Sequence, residues 1–179
     1  MRRVFICTAI FCTLAAAAQA EVRAYQFTWS GANGHRVTGA LAYDADLTHG
    51  DLVREADLVC FSIEGMQGGR LLGRWALGML TPQTSWRLFF VPSQSVFLVE
   101  GQGVDMPQAW NMNGDGDDCG AGGFGFNIGS YAQDICVDGE LIIDSQVSPY
   151  APFAAKRNDG FVFPPDGCLG PMMLSRWAN

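Results

Sequence analysis

Between Asn111 and Asp118 the chain reads Asn-Met-Asn-Gly-Asp-Gly-Asp-Asp, its densest run of oxygen-bearing side chains. Asn111, Asn113 and Asp115 alternate and Gly116 follows, the order in which the first half of a calcium loop places hard oxygen ligands and a sharp turn. Asp117 and Asp118, with backbone carbonyls, would complete a non-helical site, so calcium is the candidate cofactor. The match stops where a calcium loop needs a bidentate glutamate, because Gly122 stands there and no helical pattern flanks the loop. Read without an ion, the same residues form a solvated turn, since Asn and Asp bond their own backbone and Gly accepts positive φ.

The cysteines offer a second chemistry. Of the 6 in the chain, Cys7 and Cys12 fall in a leader, which leaves Cys60, Cys119, Cys136 and Cys168. An even set in an exported chain reads as two disulfides. Three pairings are open; the favoured one joins Cys119 to Cys136 across a hairpin-like segment and Cys60 to Cys168, tying the tail to a core strand. Zinc is disfavoured, because there is no Cys-x-x-Cys pair and the only histidines are His35 and His49.

Nucleophilic catalysis has little to draw on. There is no Gly-x-Ser-x-Gly elbow, and both histidines lie in or beside polar turns, where an exposed turn residue is expected. Carboxylate pairs such as Asp44 with Asp46, or Asp115 with Asp118, would suit glycoside hydrolysis only if the fold raised one pKa and kept its partner ionised. Aromatic residues supply a binding alternative. A platform at Trp110 and Tyr131 would stack on sugar rings, although aromatics in alternating strands ordinarily pack a core. The glycines from Gly120 to Gly125 lack a surrounding βαβ unit, so they predict bulges or close strand contact, not a nucleotide site.

These residues must be positioned by strands. Val22–Trp29 alternates, with Arg23, Tyr25, Phe27 and Trp29 on one face and Val22, Ala24, Gln26 and Thr28 on the other. A turn over residues 30–34 leads to a return strand, Arg36–Tyr43, in which Gly39 marks a bulge. A polar connection follows, with one helical turn near residues 52–56. Further strands are expected at 58–64, 71–80, 86–91, 95–100, 109–110, 124–128 and 135–137, with Gly65–Gly69 flexible and Asp138-Gly139 as a hairpin turn. Residues 148–179 read as an irregular, proline-containing tail. The fold class is therefore all-β, an antiparallel β-sandwich or barrel stapled by disulfides.

Residues 1–20 begin with Arg2 and Arg3, continue through an apolar run and end in Ala18-Gln19-Ala20, the order of a cleavable secretory signal peptide. Residues 21–179 then form a single β domain with no membrane span after cleavage. Removing the leader takes two of 11 basic residues from a chain with 18 acidic ones and a net charge of −7. So acidic a chain repels nucleic acid and anionic membranes.

Taken together, YQFTWSGANGHRVTGALAYD, VREADLVCFSIEG, QAWN, GGFGFN and CVDGELIIDS resemble small secreted bacterial β-rich proteins of unknown function, many carrying a PEP-CTERM sorting tail. The resemblance spans most of the mature chain and implies a fold and a compartment, but no activity. Pro164-Pro165-Asp166 and the terminal SRWAN lack the sorting tail's features. The expected role is a secreted or periplasmic, non-catalytic binding or surface-associated module, with a glycan or calcium as candidate ligand. The alternative is a secreted polysaccharide hydrolase using paired carboxylates.

Overall fold

The computed structural model describes residues 21–48 and 50–169. Residues 1–20, where a signal peptide is expected, with Cys7 and Cys12, lie outside them, as do His49 and Trp177. Two antiparallel sheets pack face to face. The first has eight strands: β1 (Val22–Ser30), β2 (His35–Asp44), β3 (Val53–Arg54), β4 (Leu58–Gln67), β5 (Arg70–Ala76), β7 (Phe89–Val91), β8 (Val96–Phe97) and β13 (Phe153–Arg157), in the spatial order β3-β7-β8-β13-β1-β2-β4-β5. The second has β6 (Ser85–Arg87), β9 (Gln108–Met112), β10 (Phe124–Ile128), β11 (Gln133–Val137) and β12 (Glu140–Leu141), in the order β12-β11-β10-β9-β6. Single 3-10 turns interrupt them at Glu55–Asp57, Leu77–Met79 and Ile143–Ser145. The described residues are thus all-β, and no helix among them is long and apolar enough to cross a membrane.

Period-two alternation sets the core. In β1, Tyr25, Phe27 and Trp29 are buried while Gln26 and Thr28 between them are exposed. Two of these rings meet the second sheet edge to face or tilted, Trp29 against Phe126 at 5.2 Å and Phe27 against Trp110 at 5.4 Å between ring centroids, while Tyr25 packs on Tyr43 and Phe90 of its own sheet. The Trp29 indole N–H donates to Gln133 Oε1 at 2.8 Å, fixing one sheet over the other by a buried polar contact. Gly65 and Gly73 face each other across β4 and β5, and the ring of Phe124 from the opposite sheet occupies the notch they leave. Close approach of a ring, not a need for positive φ, explains glycine at both places.

Several expectations are corrected. Gly39 does not bulge: the register breaks between Ala42 and Tyr43, and Gly39 stays regular because a methyl there would overlap the Ser62 carbonyl and lie 2.7 Å from the Phe27 ring. Residues 65–69 are not a flexible link. β4 runs through Gly65 to Gln67, and only Gly68 and Gly69 turn. The run from Trp86 to Val91 is not one strand: the chain leaves the second sheet after Arg87 and enters the first at Phe89, about a fully buried Leu88. The buried side-chain amide of Gln108 covers the crossing, bonding the Phe89 amide and the Phe89 and Leu98 carbonyls. Within the tail expected to be irregular, residues 153–157 form a strand, β13, which pairs with β8 on one side and β1 on the other. Only Phe153 is a strong strand former there, and its burial against Phe97 and Phe126 outweighs weak local propensity.

Both disulfides form in the favoured pairing, Cys60 with Cys168 and Cys119 with Cys136. Such bonds fit an oxidising compartment. The turns at Asn33-Gly34 and Asp138-Gly139 both have positive φ, as their sequences predict.

Candidate functional site

The acidic loop is a turn that bonds to itself. Asn113 Oδ1 accepts from the Asp117 amide at 3.0 Å, the Asn113 carbonyl accepts from the Gly116 amide at 3.1 Å, and Asn113 Nδ2 donates to Asp117 Oδ1. Asp118 Oδ1 accepts from the Gly120 amide at 2.7 Å. Asn111 sits at positive φ and turns inward, donating to the Phe124 carbonyl at 2.8 Å. Asn113 Oδ1 and one carboxylate oxygen each of Asp117 and Asp118 thus accept from the loop's own donors. No group of three His, Cys, Asp or Glu side chains able to hold a metal occurs among the described residues.

The aromatic platform does not assemble. Trp110 is wholly buried among Phe27, Phe61, Phe97 and Phe126, and its N–H goes to Gln108, whereas Tyr131 stands exposed on the β10–β11 connection. Trp110 is a core residue because it occupies an inward position of a central strand. His35 is likewise buried, not an exposed turn residue, with Nδ1 2.8 Å from the Ala32 carbonyl. Asp44 and Asp46 each bond a backbone amide: Asp44 Oδ1 accepts from Asp46 N, and Asp46 Oδ2 from Glu21 N at the start of the described chain.

A wide concavity lies on the outward face of the eight-stranded sheet. Because Phe27, Ile63 and Trp75 point inward, their neighbours in sequence point out, and strand pairing lines them up in two rows. Lys156, Gln26, Ala40 and Ser62 face one another across β13, β1, β2 and β4. Thr28, Thr38, Glu64 and Arg74 do the same across β1, β2, β4 and β5. Over these rows passes residues 158–168, here called the strap, enclosing a cleft of about 880 Å³. That volume lies within the range of small-ligand sites.

The strap is fastened at its two ends. At the β1 end, the Asn158 amide donates to the Ala24 carbonyl at 2.8 Å, Asn158 Nδ2 donates to Gln26 Oε1 at 2.8 Å, and Asp159 Oδ1 accepts from the Ala24 amide at 3.0 Å. That amide, assisted by Arg157, holds the Asp159 carboxyl below the usual carboxylate range. At the far end, Arg74 grips Asp166 with two bonds of 2.6 and 3.0 Å, the Phe61 amide donates to the Gly167 carbonyl at 2.7 Å, and Cys168 is linked to Cys60. Among the described residues, none of residues 160–165 hydrogen-bonds to the sheet. Pro164 and Pro165 stiffen the span, and the half-buried rings of Phe161 and Phe163 meet edge to face at 4.9 Å.

The floor holds its polar groups unspent. The Lys156 ammonium, the Gln26 side-chain N–H donors, the hydroxyls of Thr28, Thr38 and Ser62 and the Glu64 carboxylate make no side-chain hydrogen bond to any described residue, although Gln26 Oε1 is taken by Asn158. Arg74 differs, since Asp166 neutralises it and is itself held below the usual range by that contact. The cleft therefore presents donors at the β13 end, hydroxyls in the middle, and one free carboxylate towards β4. Sequence reasoning identified Gln26 and Thr28 as one face of a strand, but had no means of seeing that a tail read as irregular would roof that face.

No known protein family matches this chain, and no curated protein or solved structure does either.

Proposed function

We propose that this protein is an exported, non-catalytic binding module that holds an oligosaccharide in the cleft between the strap and the outward sheet face. The observation that carries the reading is the pairing of a floor of uncommitted hydroxyl, amide and charged side chains with the apolar rings of Phe161 and Phe163. Such a site can satisfy sugar hydroxyls from below and cover ring C–H surfaces from above. A peptide fits less well, because the cleft exposes a sheet face whose backbone groups are spent in the ladder, not an open edge for strand addition. Export rests on the leader-like residues 1–20 and on the two disulfides, which suit the periplasm or the medium.

The hydrolase alternative has weaker support. Glu64 is the one free carboxylate of the cleft, and Asp166, clamped by Arg74, stays ionised and is no proton donor. Glycan-array screening followed by calorimetry tests the proposal, with wild type compared to Phe161→Ala/Phe163→Ala. Binding that is lost in the double variant at unchanged melting temperature is expected. Absence of binding to every glycan sinks the proposal, and release of new reducing ends would favour the hydrolase.

A further inference from the structure

We infer that the cleft selects an acidic oligosaccharide, one whose carboxylate is received by Lys156 and Gln26 at the β13 end. The inference rests on the cleft being the binding site and adds the charge and direction of its ligand.

Lys156 and Gln26 are cross-strand partners on the outward face, so their side chains rise side by side. The Asn158 side chain donates to Gln26 Oε1, which turns that oxygen towards the strap, and both Gln26 side-chain N–H bonds are left without a partner among the described residues. An ammonium beside an amide N–H₂ whose donors are unused sets two donor groups side by side, a match for the two oxygens of a carboxylate. The opposite holds at Glu64, which only accepts and is free of any ion pair among the described residues. Glu64 suits sugar hydroxyls, whose donors it can take two at a time.

Glu64 stands three strands from Lys156 and two residues along, a separation of roughly 16 Å between backbones. That span calls for a chain of sugars, not a single ring, with its acidic residue at β13 and its neutral hydroxyls at β4. The acidity of the protein does not oppose this. Its acidic loop belongs to the other sheet, and exposed charges beyond about 8 Å are screened at physiological salt.

Lys156 is the only lysine in the chain, which gives a direct readout. An oligouronate and its carboxyl-reduced, neutral counterpart of equal length are compared by calorimetry against wild type, Lys156→Gln and Phe161→Ala/Phe163→Ala. In parallel, Lys156 is reductively methylated with and without each sugar and located by peptide mass. Wild type should favour the oligouronate by about tenfold or more, Lys156→Gln should bring both sugars to the neutral affinity, and the oligouronate alone should protect Lys156. Equal affinities, a preference that survives Lys156→Gln, or unprotected Lys156 would each overturn the inference while leaving the cleft reading intact. If neither sugar binds wild type, both fall together.

Discussion

The acidic loop and the strap cleft use polar side chains in opposite ways. The loop over Asn111–Asp118 holds more carboxylates and amides per residue than any other stretch, yet Asn113, Asp117 and Asp118 turn theirs back onto the loop itself. The cleft floor is sparser, drawing one or two residues from each of four strands, and leaves its groups uncommitted. Polar density in a sequence thus indicates where a turn is needed. Readiness to bind shows in groups that the fold orders and does not use.

Each region carries its own disulfide, and removing these should separate the two most strongly. Cys60 and Cys168 are 108 residues apart, so replacing both by Ala should cost roughly 4–5 kcal/mol through loop entropy. It should also loosen the strap's far end, leaving it to the Arg74–Asp166 pair and the Phe61 amide, and weaken the proposed glycan binding. Cys119 and Cys136, only 17 apart, should cost about 3 kcal/mol and leave binding untouched. Denaturant melts with parallel calorimetry check both, and an intact affinity after loss of Cys60–Cys168 would show that the strap does not depend on its anchor.

Beneath the acidic loop, the Asp134 carboxyl is pushed up to about 6 by burial, against hydrogen bonds from Gln146 and Asn127 that pull it down. A carboxyl raised in the folded state contributes stability that is complete below its unfolded pKa and is lost as pH rises through about 6. Wild type should lose on the order of 3 kcal/mol from this group between about pH 4 and pH 6. Asp134→Asn should flatten that slope and leave cleft binding unchanged. A slope that persists in the variant would assign it to other groups.

Smaller effects probe the side chains themselves. Asn113→Ala should cost about 1 kcal/mol by removing the loop's internal bonds. Millimolar calcium should leave the melting temperature of wild type unmoved, and a clear rise would turn the loop from a turn into a ligand site and break the contrast. Phe161→Ala should lower glycan affinity by roughly tenfold, with stability changed by less than about 1 kcal/mol because the ring is half-buried on an unanchored span.

Alternation in β1, β2 and β4 was legible because aromatic and β-branched residues two apart leave little choice of face, and Asn33-Gly34 and Asp138-Gly139 named their own turns. The break at Leu88 was not, since WRLFFV is apolar throughout and only the surrounding strands decide where it changes sheet. The position of Phe153–Arg157 was hidden for a related reason: Ala154, Ala155 and Lys156 carry little strand preference, and their place comes from the neighbours on either side. With that strand unseen, the partnership of Lys156 with Gln26 was unseen too, and the cleft with it.

Strand β13 also sets an order of assembly. It lies between β8 and β1, so Ala155 pairs with Phe27 from near the opposite end of the chain. Until residues 153–157 arrive, the sheet is two separate ribbons, each with an open edge where β13 belongs. Such far-separated pairing makes for slow folding. A chain made from its amino end thus closes this sheet only when residues 153–157, its last described strand, are in place.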